Sequence, residues 1–138
     1  MITPRISTNK NELNISLIHE FLTNSYWAKG RTVSEVKKTI KHSLCFGIYL
    51  EQKQIGFARV VTDHVIFAYL MDVFIIEEHR GKGYASLLMN YIINEPRLKE
   101  IKRWGLITLD AHFLYKKFGF EMHNPQENVL FKVKKENE

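Results

Sequence analysis

The stretch "DVFIIEEHRGKGYASLLMNYII", Asp72 to Ile93, changes its periodicity halfway along. A β-branched and aromatic run ends at Glu77 and Glu78. Gly81 and Gly83 then interleave with Arg80 and Lys82, and the residues from Tyr84 onward are apolar at helical spacing. The stretch predicts a buried strand, a tight turn at Glu77–Arg80, and a helix beginning near Lys82 or Gly83. The glycines can adopt backbone angles closed to other residues, and they leave the main chain open to a ligand. The first amide groups of a helix have no intrahelical partner, and with the helix dipole they attract an oxyanion. Arg80 and Lys82 add charge, and an arginine can grip phosphate with two donors. Ala85 and Ser86 are small. The loop is therefore a candidate pyrophosphate cradle, although a bare Gly-x-Gly also fits an ordinary strand-to-helix turn. It lacks the Gly-Lys-Ser/Thr of a Walker loop and the Gly-x-Gly-x-x-Gly order of a dinucleotide fold.

Outward from this point, "VIFAYLMDVFII" predicts a central strand covered on both faces. In "YASLLMNYII", Leu87, Leu88, Tyr91 and Ile92 share one helical face, and Pro96 ends the helix. Upstream, "NISLIHEFLTNSYW" and "TVSEVKKTIKHSL" repeat apolar residues at helical spacing, and "LCFGIYLEQKQIGFARVVTD" is a hairpin turning at Glu51–Gln54. Downstream, "IKRWGLITL" predicts a strand, and "DAHFLYKKF" a short helix with Asp110 as a candidate cap and Gly119 as its stop. "FEMH" and "NVLFKVK" predict closing strands around a turn at Asn124–Glu127. With a short initial strand near Ile2–Ile6, the pattern is an α/β (α+β) fold, a mixed, largely antiparallel twisted sheet flanked by about four helices.

The 138 residues fit one domain, 1–138, and 45% hydrophobic content is enough for a core. No apolar run is long enough to cross a bilayer and Met1–Lys10 lacks a signal-peptide pattern, so the expected location is cytoplasmic, with no membrane partner. The lone Cys45, in a strand-like run, reads as a buried inert thiol. The charge of +5 is scattered and forms no arginine stripe or nucleic-acid motif, so a phosphate-bearing small molecule accounts for it as well as a polynucleotide does. The dispersed histidines show no metal-ligand spacing.

"RGKGYA", with Arg80, Gly83 and Ala85, resembles the Arg/Gln-x-x-Gly-x-Gly/Ala signature of the GNAT acyltransferase superfamily, placed as in that family between a strand and a helix. "LYKKFGF", Leu114 to Phe120, resembles the family's Leu-Tyr-x-x-x-Gly-Phe segment, and "QIGFARV" its third strand. The similarity runs from about Ile15 to Val133. Two departures stand out: no proline follows Ile75, and "TLDAHFLY" offers Thr108 and Asp110 where many relatives have asparagine.

The resemblance implies an acetyl-CoA-dependent N-acetyltransferase whose acceptor is a primary amine, on a small molecule or a peptide. By position, the main chain of Val73, Phe74 and Ile75 would bind the pantetheine arm and thioester, and an N–H of Val73 or Phe74 would polarise the carbonyl. Main-chain groups of Gly81, Lys82, Gly83, Tyr84, Ala85 and Ser86 would hold the pyrophosphate, with Arg80 beginning the loop. Tyr115 matches the family tyrosine that protonates the departing thiolate; it could also simply pack with Leu114, Phe118 and Phe120.

Asp72 sits inside an apolar run. Desolvation raises a carboxyl pKa and suits a catalytic base, while the same residue can equally accept a hydrogen bond from a neighbouring loop. His112 lies one helical turn before Tyr115 and could relay protons. Asp110 reads as a cap or a base. Tyr26 and Trp27, in "SYWAKGR", are candidates for framing the amine by cation–π contact, and Trp27 can alternatively pin the first helix to the sheet. His19, Glu20 and Arg59 could also reach the pocket. A CoA-binding sensor or interaction module with weak catalysis is the alternative function, and a nucleic-acid-binding domain rests on the net charge alone. "NVLFKVK" could form an edge through which two copies pair as a homodimer.

Overall fold

The structure is a computed structural model that describes residues 2–122 and 128–135. Five strands form one sheet in chain order: β1 Arg5–Ser7, β2 Leu44–Leu50, β3 Lys53–Thr62, β4 Phe67–Ile75 and β5 Arg103–Gly105. The junctions from β1 to β4 are antiparallel, and β5 joins β4 in parallel. Parallel neighbours need a crossover, which is supplied by α3 (Tyr84–Ile93). Helices α1 (Ile15–Thr23) and α2 (Val33–Lys41) lie between β1 and β2, and α4 (His112–Lys116) follows β5. This is the expected mixed, mostly antiparallel sheet with four α-helices, the initial strand falling at Arg5–Ser7.

Helix starts follow local chemistry. The Asn14 side chain accepts from the Leu17 amide at 3.0 Å. At α2, Thr32 accepts from the Glu35 amide at 3.1 Å while Glu35 accepts from the Thr32 amide at 2.9 Å, a reciprocal capping box worth about 1 kcal/mol. In contrast, α3 begins after Gly83, at φ 81°, with no side-chain cap.

The core joins Ile18 and Leu22 of α1, Val36 and Ile40 of α2, and Leu88, Met89 and Ile92 of α3 to Phe46, Ile48, Ile55, Phe57 and Val60 of the sheet. The buried face of α3 is rotated from the expected one: Leu87 and Tyr91 are about 40% exposed, and Met89 takes their place inside. Cys45 is buried, and burial pushes its thiol up to about 11, in keeping with an inert group.

Several expectations are corrected. The helix after the glycine loop ends at Ile93, and Pro96 opens a separate 3₁₀ turn through Leu98. The strand expected over Ile101–Leu109 is confined to Arg103–Gly105. No strand forms at residues 120–122 or 128–135; His123 and the Asn124–Glu127 turn lie outside the described residues. Alternation favours a strand only where a neighbouring surface receives its apolar side, and 128–135 is exposed throughout. Finally, β4 is covered on its two faces unequally: Ala68, Leu70 and Phe74 are buried, whereas Tyr69, Met71 and Val73 are half-buried.

Two irregularities in β4 create the site. Phe57 faces Phe74 and Arg59 faces Met71, so two steps along β3 oppose three along β4. The extra residue makes a β-bulge, and Asp72 within it adopts φ 56°, a left-handed conformation unusual for a residue other than glycine. Secondly, the β4–β5 ladder stops at Tyr69 and Gly105. Beyond it, the β5-facing side of β4 has no strand partner among the described residues.

Candidate active site

A cavity of about 380 Å³ lies where the two strands part company. Val73, Phe74 and Ile75 line it from β4, and Arg80, Gly81, Gly83, Tyr84, Ala85 and Ser86 line it from the loop and α3; of the residues expected to hold the cofactor, Lys82 alone does not border it. Gly81 and Gly83 sit at φ 78° and 81° with open space where a side chain would project. Among the described residues, none of the main-chain amides from Gly81 to Ser86 has a hydrogen-bond partner. The result is a row of outward-facing donors at a helix start, the arrangement that binds an anion.

Arg80 is anchored beside this row. Its Nε donates to the Ile75 carbonyl at 2.9 Å, and its guanidinium lies 5.9 Å over the Phe21 ring, which itself stacks on Phe74 at 4.0 Å. The terminal nitrogens of Arg80 have no hydrogen-bond partner among the described residues. Sequence reasoning missed two further groups. Lys117 reaches back from beyond α4 to donate to Ser86 Oγ at 3.3 Å, and the buried Nδ1 of His79, which lines the cavity, has no partner among the described residues. "LYKKFGF" offers two adjacent lysines, and only the turn of α4 distinguishes which one meets α3.

A second cavity, of about 290 Å³, adjoins the first and shares Tyr26, Trp27, Val73, Asp110, Ala111 and Tyr115 with it. Tyr115 is 9% exposed. Burial, the nearby Tyr26 phenol and Asp110 push its hydroxyl up to about 12, so it stays protonated at neutral pH and able to donate. It also packs edge-on against Phe120 at 6.0 Å, so both readings of this residue describe the same placement. Asp110 does not cap α4. Ala111 occupies the cap position, and its amide donates to Thr108 Oγ1 at 3.0 Å; the shorter helix leaves Asp110 exposed at the junction of the two cavities. His112 is exposed and borders a neighbouring groove that Tyr115 also lines.

Behind the second cavity Asp72 is tied from three directions. Its Oδ1 accepts from Trp27 Nε1 at 3.0 Å. Its Oδ2 accepts from Arg31 Nη1 at 2.6 Å and Arg59 Nε at 2.9 Å. The Asp72 side chain is wholly inaccessible. Arg59 also donates to Ser43 Oγ at 3.0 Å. The strained backbone of the bulge thus presents a carboxylate that fastens the α1–α2 loop to the sheet. Trp27 pins that loop and lines both cavities at once; Tyr26 meets it edge-on at 5.1 Å and is 57% exposed. Arg59 supports from within rather than bordering the cavity, Glu20 lies on an outer groove with Arg80, and His19 borders none of these cavities.

The fold recurs in known proteins. Residues 41–122 match the acetyltransferase (GNAT) domain. A Gibberella zeae protein named as an acetyltransferase is 28% identical over 137 residues, covering 81% of this chain and 75% of that protein. A crystal structure from Xanthomonas campestris pv. campestris, of a protein assigned to the GNAT acetyltransferases, is 40% identical with a TM-score of 0.92 and covers 96% of this chain and 94% of that one. A Clostridium acetobutylicum protein solved with acetyl-CoA shares the fold at a TM-score of 0.68 and 16% identity, covering 97% of this chain and 96% of that one. The domain match spans more than half of the sequence and takes in both the glycine loop and the Tyr115 segment: the chain belongs to the GNAT acetyltransferase family and is an acyltransferase.

Proposed function

We propose that residues 1–138 act as one domain that transfers the acetyl group of acetyl-CoA to a primary amine, on a small molecule, by direct attack in a ternary complex. The observation that carries this reading is the unpartnered amide row opening into one cavity that shares Tyr115 and Val73 with a second. The residues present fit acetyl-CoA: a diphosphate meets the Gly81–Ser86 amides, Arg80 and Lys117, and the pantetheine arm runs along Val73–Ile75. The acceptor takes the second cavity, framed by Tyr26 and Trp27.

In this arrangement the amine nitrogen forms a bond to the acetyl carbon, and the carbon–sulfur bond breaks. An N–H of Val73 or Phe74 stabilises negative charge developing on the carbonyl oxygen. The Tyr115 hydroxyl gives its proton to the departing sulfur. The attacking nitrogen loses a proton at the cavity junction, beside Asp110, and Tyr115 is reprotonated through solvent. Asp72 has both oxygens occupied, which favours the hydrogen-bond-accepting role over the base role. The test is CoA release on mixing acetyl-CoA with a panel of primary amines, alongside calorimetric titration of acetyl-CoA. Tight binding with no turnover would support the sensor alternative instead.

The same reading includes a homodimer. Leu130, Phe131 and Val133 are 89%, 67% and 79% exposed. The outer edge of β5 has no strand partner among the described residues, and the groove beside it is lined by Trp104, Met122 and Phe131. Exchange of the 128–134 segments between two copies covers both at once; an ordinary stable interface buries about 800 Å² per copy. Light scattering at micromolar concentration should give the dimer mass, and Phe131→Lys should give the monomer. A monomeric wild type removes this part of the reading.

A further inference from the structure

The acceptor cavity carries a separation of charge that its role as an amine site does not require. Arg31 borders this cavity and not the one assigned to acetyl-CoA. Its side chain is 17% exposed, and its Nη1 is held by Asp72 at 2.6 Å. Its other guanidinium N–H groups have no partner among the described residues. The second arginine of the cluster is consumed: Arg59 is 7% exposed and donates to Asp72, Ser43 and the Met71 sulfur. Two guanidinium groups share the one buried carboxylate, the exposed Glu35 being a further acid that feels Arg31, and Arg31 is the member that reaches the cavity with an unpaired edge. At the other end Asp110 is exposed and borders both cavities, next to Tyr115.

We infer that the acceptor is a small amine carrying an anionic group, a carboxylate or a phosphate, which Arg31 binds while Asp110 faces the amine at the junction. This rests on the acetyl-transfer reading and adds its substrate class. The placement sets the polarity. The nitrogen must lie where the cavities meet, since only there can it reach the thioester, and the single cation stands away from that junction. A planar guanidinium pre-oriented by one fixed bond offers its remaining edge to a two-oxygen anion at little cost in side-chain entropy. The cavity volume of about 290 Å³ lies at the lower end of small-molecule sites, about 300–1,000 Å³. A polycationic acceptor would place a second positive charge toward Arg31, where the cavity offers nothing to neutralise it, because both oxygens of Asp72 are already taken.

The test uses two matched pairs as acceptors: L-phenylalanine against 2-phenylethylamine, and O-phosphoethanolamine against ethanolamine. At least one anionic member should show kcat/KM at least tenfold above its neutral partner, and the pair that responds identifies carboxylate or phosphate as the group bound. Arg31→Gln should raise KM for that member by about tenfold or more with kcat nearly held, Arg31→Lys should restore part of the loss, and neither should change acetyl-CoA affinity by calorimetry, which also reports that the variants fold. Neutral members acetylated as well as or better than anionic ones would overturn the inference. So would an equal effect of Arg31→Gln on both members of a pair, or acetyl-CoA binding without turnover of either anionic member. Failure to bind acetyl-CoA at all would instead remove the acetyl-transfer reading beneath it.

Discussion

Replacing Asp72 tests the bulge and its ionic fastening together, and three substitutions separate the contributions. Alanine deletes the carboxylate and leaves Arg59 and Arg31, 7% and 17% exposed, without their common partner. Breaking a buried pair in this way costs about 3–5 kcal/mol, a large share of the roughly 5–15 kcal/mol that holds a domain together. Asparagine keeps the shape, tolerates left-handed backbone and can still accept from Trp27, but its NH2 then faces Arg31 and Arg59 where Oδ2 accepted, so it loses the charge and both arginine hydrogen bonds, about 3 kcal/mol. Glycine loses the carboxylate as alanine does but is at ease at φ 56°, where alanine is strained by about 1–2 kcal/mol. In an ordinary strand the preference runs the other way, glycine being weaker than alanine by about 0.5–1 kcal/mol. The expected order of stability is therefore wild type, Asn, Gly, Ala, with Gly above Ala by about 1 kcal/mol, or roughly 4 °C. Urea unfolding followed by circular dichroism, read as midpoints at a common slope, measures this. Alanine equal to or above glycine would show that the left-handed bulge is wrong, and asparagine equal to wild type would show that the ion pairs contribute nothing.

Tyr115→Phe should leave acetyl-CoA affinity unchanged and lower kcat about 100-fold; with the hydroxyl pushed up to about 12, wild-type turnover should show no loss assignable to Tyr115 ionisation up to about pH 10. Burial also pushes the Tyr49 hydroxyl up to about 12, so the folded state holds that proton more tightly than the unfolded chain. Its contribution is whole below about pH 10 and disappears as pH rises toward 12. The Tyr49 hydroxyl has no hydrogen-bond partner among the described residues, so Tyr49→Phe should be more stable by up to about 1 kcal/mol at pH 7 and should flatten the alkaline decline in a series of thermal melts. Gly83→Ala meets no clash but occupies φ 81°; it should cost about 1–2 kcal/mol and weaken acetyl-CoA binding, and binding as tight as wild type would separate the loop's conformation from its role.

The fold was legible wherever one residue pattern had one physical outcome. Asn14 and Thr32 mark helix starts through side-chain bonds to nearby amides, and the Arg80–Ser86 stretch marks its turn through two glycines with positive φ. Patterns that depend on a distant neighbour misled. Val129, Phe131 and Val133 alternate like a strand but have no ladder, and Leu87 and Tyr91 are rotated partly out of the core by the way α3 sits on β2 and β4. In the site, main-chain donors could be placed from the motif because they need no side chain. Arg31 could not: it meets Asp72 across 41 residues, and nothing local in "SYWAKGR" points toward the fourth strand. The oddity of an acid in an apolar run was visible, whereas its partners were decided by tertiary packing.

The short parallel ladder has a mechanical corollary. Residues 103–119 join the sheet by one three-residue ladder, Phe67–Tyr69 with Arg103–Gly105, and otherwise through the Arg103 amide on the Ile66 carbonyl, the Lys117–Ser86 bond and side-chain packing, so this flap should breathe at lower free energy than the antiparallel body. A molecule wedged between Val73 and Tyr115 touches both halves and acts as a rivet. Deuterium uptake at β5 and α4 should slow when acetyl-CoA is added, while uptake along β2 and β3 stays as it was.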